Sequence, residues 1–116
     1  MMMVNPEQRF IEAAREHGLS TREGGGVVAT NAAYDRIVSA VKALRASPDR
    51  GQHVLLNCLA SDDPSVVTWA ALYLLPLKER AAVAALRRIA RSGVRLVSLG
   101  AEMTLKEWRA GRLKVD

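Results

Sequence analysis

Apolar residues return along this chain at three- and four-residue intervals, and Gly, Pro, Ser and Asp interrupt them at six places. The first run starts with Asn5 as a helix cap, Pro6 at the first helical position and Glu7 at the positive end of the helix dipole. Phe10, Ala14 and His17 then share a face, and Gly18 supplies a stop. Residues 19–26 hold Ser20, Thr21 and three glycines and read as a loop. A second helix is predicted over about residues 29–46, because Ala33, Ile37, Ala40, Val41 and Leu44 sit at offsets 0, 4, 7, 8 and 11. Ser47-Pro48-Asp49 reads as the start of a third helix with serine as cap, carrying Val54, Leu55, Cys58 and Leu59 on its apolar face. Asp63 and Pro64 open a fourth, with Val66, Trp69, Ala70, Tyr73 and Leu74 on one side, and Pro76 ends it. The fifth covers about residues 78–91 with Ala82, Leu86 and Ile89 inward, closing at Gly93. The sixth covers about residues 97–110 with Val97, Ala101, Thr104, Leu105 and Trp108 inward, closing at Gly111.

Short turns between successive helices make them antiparallel neighbours, so six helices become three hairpins. No run of β-branched residues alternates with period two, and the prediction is all-α. Composition agrees: 49% apolar and 25% charged residues describe a globular chain, and only 4% aromatics leave the packing to aliphatic side chains and alanine. At 116 residues the chain is read as one domain spanning residues 1–116. Its longest apolar run, residues 69–77, is broken by Pro76 and is too short to span a membrane. Glu7, Glu12 and Glu16 interrupt any leader-like start, and the single Cys58 cannot build an internal disulfide framework. Both features fit a reducing cytoplasm.

Two of the hairpins share a pattern. Leu55-Leu56 precedes Asp63-Pro64-Ser65-Val66, and Ala70-Ala71 and Leu74 follow; Leu86 precedes Val97, and Ala101 and Leu105 follow. Ala70 and Ala101 stand in equivalent places, 31 residues apart. Small residues at a helix crossing allow close approach, and stacking buries the faces that one hairpin leaves open. The segment around Asp63-Pro64-Ser65-Val66 and Trp69-Ala70-Ala71-Leu72 resembles a HEAT repeat. The resemblance implies a HEAT-like α-α superhelix of about three antiparallel helix hairpins. More narrowly, Asn31-Ala32-Ala33-Tyr34-Asp35-Arg36-Ile37, the segment from Asp63 to Ala71, and Ala101-Glu102-Met103-Thr104-Leu105-Lys106-Glu107-Trp108-Arg109-Ala110-Gly111 resemble a small bacterial family catalogued as a domain of unknown function. The chain departs from that family at residues 24–29, which are less polar than the family's entry to the second helix. The resemblance brings a helical fold and no activity, cofactor or catalytic residue.

Candidate chemistry is sparse. His53 and Cys58 are five residues apart on one helix, about 140° around it, and do not converge on a metal. Cys58 lies on an apolar face rather than beside a base. Asp62-Asp63 before a proline is the chemistry of a cap. Glu102 and Glu107 read as solvated, or paired with Lys106 and Arg109. Gly24-Gly25-Gly26 follows no strand and precedes no Gly-Lys-Ser/Thr, so it reads as a loop and not a phosphate cradle. No cofactor or metal is expected.

Charge adds more. The chain carries seventeen Lys and Arg against twelve Asp and Glu, a net +5. Residues 76–95 hold Lys78, Arg80, Arg87, Arg88, Arg91 and Arg95 against Glu79 alone. Arg80, Arg87 and Arg91 fall within about 40° around the fifth helix, so the cations form a stripe. Arg80, Arg87, Arg88, Arg91 and Arg95 are therefore the candidate binding surface, facing an acidic protein or phosphates; the bland alternative is a solvated outer face. No aromatics interleave with them, which argues against base stacking. The expected function is a non-catalytic protein-protein interaction module with a protein partner. Nucleic-acid backbone binding and a toxin-neutralising, immunity-type role are the alternatives, the latter disfavoured by the basic charge. A second copy is another candidate partner, and a membrane is not.

Overall fold

The computed structural model describes residues 5–115. They form six α-helices and, among the described residues, no strand: α1 (Pro6–Glu23), α2 (Gly26–Leu44), α3 (Gln52–Cys58), α4 (Pro64–Leu74), α5 (Glu79–Ala90) and α6 (Val97–Arg109). The chain divides into two compact units, with the boundary between Val54 and Leu55. None of the helices is long and apolar enough to cross a membrane.

The first unit is dominated by the packing of α1 on α2. The Asn5 side chain accepts from the Gln8 N–H at 2.8 Å, with Pro6 following, so α1 starts where the cap chemistry places it. It does not stop at Gly18. That glycine is buried in mid-helix on the row Phe10–Ala14–Gly18, and α1 runs one and a half turns further. The stop is at Gly24, whose backbone is left-handed (φ 67°). The next residue's N–H, on Gly25, reaches back to the Ser20 carbonyl at 2.8 Å. The predicted loop over residues 19–26 thus shrinks to a turn, and α2 begins at Gly26. Ser20 Oγ lies 2.7 Å from Thr30 Oγ1, tying the end of α1 to the start of α2. Ala13 and Ala14 on α1 and Ala33, Ile37, Ala40 and Val41 on α2 are buried. Glu16 and Arg36 pair across the surface of the two helices.

Residues 45–51 form turns rather than the opening of a helix. Ser47 Oγ and Asp49 Oδ1 both accept from the Gly51 N–H, at 3.0 and 2.9 Å, and Asp49 Oδ2 accepts from the His53 N–H at 3.0 Å. The serine predicted to cap α3 therefore braces the preceding turn, and Asp49 holds the first turn of α3.

In the second unit α5 packs on both α4 and α6, and α4 meets α6 in a smaller contact. Asp63 Oδ1 accepts from the Ser65 N–H at 2.9 Å with Pro64 at the first helical position, the cap expected from sequence. α4 is the most deeply buried helix of this unit: Val66, Val67, Ala70, Ala71 and Leu74 are buried, and Leu75 beyond its end is too. Trp69 and Tyr73 are half-buried and stack one turn apart, with ring centroids 6.4 Å apart. Ala82, Ala85, Leu86 and Ile89 on α5, and Ala101 and Leu105 on α6, complete this core. Ala70 and Ala101, the paired positions of the sequence pattern, are both fully buried.

Candidate interaction surface

The inward face of α5 fixes where its cations go. With Ala82, Ala85, Leu86 and Ile89 buried, Arg80 and Arg87 project from the opposite side, and Arg91 continues their row from the C-cap position. All three are exposed, and with Arg95 they form no ion pair among the described residues. Arg87 and Arg91 also sit at the helix C-terminus, where the backbone dipole favours positive charge. Arg88 differs from its neighbours: its Nη2 donates to the Leu59 carbonyl at 2.9 Å, so this arginine fastens α5 to the end of α3. Arg95 is not on α5 at all but in the connection to α6.

That connection is a tight corner. The hydroxyls of Ser92 and Ser98 lie 2.6 and 2.9 Å from the Ile89 carbonyl and 3.0 Å from each other, so two protons serve three contacts. Arg91 and Leu99 stand one residue beyond these serines on either side. Leu96, just before α6, has a left-handed backbone (φ 65°), which a side chain rarely adopts. Leu96, Leu99 and Met103 are 42%, 53% and 57% exposed. The α6 residues Leu99 and Met103 lie opposite the buried Ala101 and Leu105, with exposed Lys106 in line with them.

These apolar positions were absent from the sequence-derived site, although a signal was there. Leu99 and Met103 fall off the stripe Val97, Ala101, Leu105 and Trp108 that marks the inward face. In the first unit Val27 and Val28 are likewise exposed, together with Tyr34 and Val38.

The remaining candidates stand apart from this surface. Cys58 is buried at the end of α3, and His53 is exposed at its start. Asp63 is occupied as a cap, and Asp62 faces water. Glu107 pairs with Arg112 rather than with Lys106 or Arg109: Nε and Nη2 of the guanidinium meet the two carboxylate oxygens at 2.7 and 3.0 Å. That bidentate bond holds the Glu107 carboxyl below the usual glutamate range. Burial pushes the His17 imidazole down. Among the described residues no three His, Cys, Asp or Glu side chains gather where a metal ion could be held. A cleft of about 110 Å³ between α1 and α2 is lined by Arg9, Glu12, Glu16 and Arg36, whose opposite charges neutralise one another. Comparison with known proteins gives no match to any family model, curated protein or solved structure.

Proposed function

We propose that this chain is a non-catalytic protein-interaction module whose helices pair as HEAT-like hairpins, of the kind seen in the small bacterial family its sequence resembles. The observation that carries the reading is the exposure of Leu96, Leu99 and Met103 at the start of α6, with the exposed Arg95 next to Leu96 in the chain. Aliphatic groups in water gain about 25 cal/mol per Å² when a partner covers them. The sequence pattern supports the hairpin reading through Ala70 and Ala101, both buried at helix contacts of the second unit. The test is to retain partners from the native host on the tagged chain, identify them by mass spectrometry and remeasure each as a purified pair. If no purified pair forms, the module reading is rejected.

A second reading has its own observation. Arg80, Arg87 and Arg91 make an exposed row on one side of α5 and could follow a phosphate backbone. It is tested with random duplex DNA between about 50 and 200 mM salt, where phosphate-driven binding weakens steeply. Affinity that stays flat over that range rejects it.

A further inference from the structure

We infer that the outer row of α5 is a three-cation contact for the backbone of a nucleic-acid duplex, an inference that rests on the phosphate-backbone reading. Arg80, Ala84, Arg87 and Arg91 fall at offsets 0, 4, 7 and 11, a single line along the helix. All four are exposed. The line lies opposite Ala82, Leu86 and Ile89, so it is turned away from α4 and α6, the helices that α5 packs on. Ala84 puts no bulk between the first arginine and the other two. At 1.5 Å per residue the three arginine positions span about 16 Å.

Acidic groups stay off this line. Glu79 is the only Asp or Glu of α5 and sits about 100° around the helix from Arg80. α4 contains none, and the acids of α6, Glu102 and Glu107, belong to a helix packed on the opposite side of α5. Two of the five arginines of this segment also stand outside the line. Arg88 is turned about 80° from Arg80 and donates to the Leu59 carbonyl, and Arg95 lies beyond the helix. The contact therefore consists of Arg80, Arg87 and Arg91 alone.

The composition of the line selects the partner. Protein interfaces are built around apolar and aromatic anchors. Among the described residues no large apolar side chain of α5 is exposed, so this surface offers charge and one alanine methyl. A polyanion is recognised on those terms. Single strands bind on aromatic platforms, and α5 has no aromatic residue. A flexible strand must also be straightened to meet a rigid row. A duplex is already straight and carries one charge per about 1.7 Å of its axis, twice the density of one strand. Over the length of the row it presents about nine phosphates to three cations.

The test is fluorescence anisotropy of the full chain with labelled random 20-base-pair DNA between about 50 and 200 mM salt. Three phosphate contacts give a slope of log affinity against log salt of about −2.7. Arg80→Ser, Arg87→Ser and Arg91→Ser each reduce that slope by about 0.9, and the triple variant loses at least tenfold in affinity at 50 mM. Arg88→Ser removes the same charge and leaves the slope unchanged. All four positions are exposed, and circular dichroism melting checks that each variant is folded. A single strand of equal length and a polyglutamate of equal charge bind at least tenfold more weakly than the duplex. The inference is overturned if the row variants keep the parent slope, or if Arg88→Ser lowers it as much as Arg87→Ser does. It is also overturned if the single strand or the polyglutamate binds as tightly as the duplex. Steep salt dependence that ignores the row removes this contact and leaves the phosphate-backbone reading standing. Affinity that is flat with salt, or no binding at all, removes that reading itself.

Discussion

Gly51 shows how much one hydrogen atom can decide. Its φ is 79°, and a Cβ there would meet Leu44 Cβ at 2.8 Å, inside any real contact distance. Gly51→Ala should cost about 2–4 kcal/mol, the sum of left-handed strain and overpacking. Gly24→Ala, at φ 67° with nothing within 4 Å, should cost only about 1–2 kcal/mol. Urea melts of the two variants measure the difference, and equal losses would refute the role given to the Leu44 contact. Asp49 beside Gly51 gives a pH signature. The His53 N–H, the Ser47 hydroxyl and the Gly51 N–H hold its carboxyl below the ordinary aspartate range near 3.8. The folded-state value is the lower one, so the unfolded chain binds the proton first. The contribution is complete above the unfolded value and drains away as pH falls through the folded one. Asp49→Asn should flatten this part of the acid-stability profile, read as urea midpoints between about pH 5 and 2. His17 acts at milder pH with the same sign. Burial depresses its imidazole below the ordinary 6.5, so folding loses stability as pH drops through that value.

Helix ends divide into those that local chemistry specifies and those that packing specifies. Asn5 and Asp63 were legible because a cap needs only its own side chain and the next turn's amides. Asp63→Ala should destabilise by about 1 kcal/mol, whereas Asp62→Ala, which faces water, should lie within about 0.5 kcal/mol of the parent. Thermal melts compare them, and a larger loss at Asp62 would mean the cap has been assigned to the wrong carboxylate. Gly18 was misread because a glycine stops a helix only if its φ turns positive, and the neighbouring helix decides that. Gly18 lies on the buried row of Phe10 and Ala14, does not adopt a positive φ and stays helical. The arginine row on α5 was legible from periodicity alone. Arg88's bond to Leu59, 29 residues away, was not, because nothing local distinguishes it from Arg87. The exposed Leu99 and Met103 were overlooked because aliphatic residues are assumed to face inward, although the helical wheel already set them outside.

At the scale of the molecule, the chain has two compact units, each with its own buried residues. Ile37 is fully buried in the first unit, and Leu86 in the second. Ile37→Ala should remove about 2–5 kcal/mol of local stability and speed amide exchange first in residues up to Val54; Leu86→Ala should do the reverse. Native-state hydrogen exchange read residue by residue separates these outcomes, and uniform acceleration throughout the chain would show that the units do not open independently. The two-helix first unit has a further consequence. α1 and α2 are joined by a single turn, so their mutual contacts span short stretches of chain. Such contacts form quickly, and a ribosome delivers them before it has made α4. The nascent protein can therefore close its first hairpin while the rest is still being translated, shielding Phe10 and Ile37 from chaperones and proteases during synthesis.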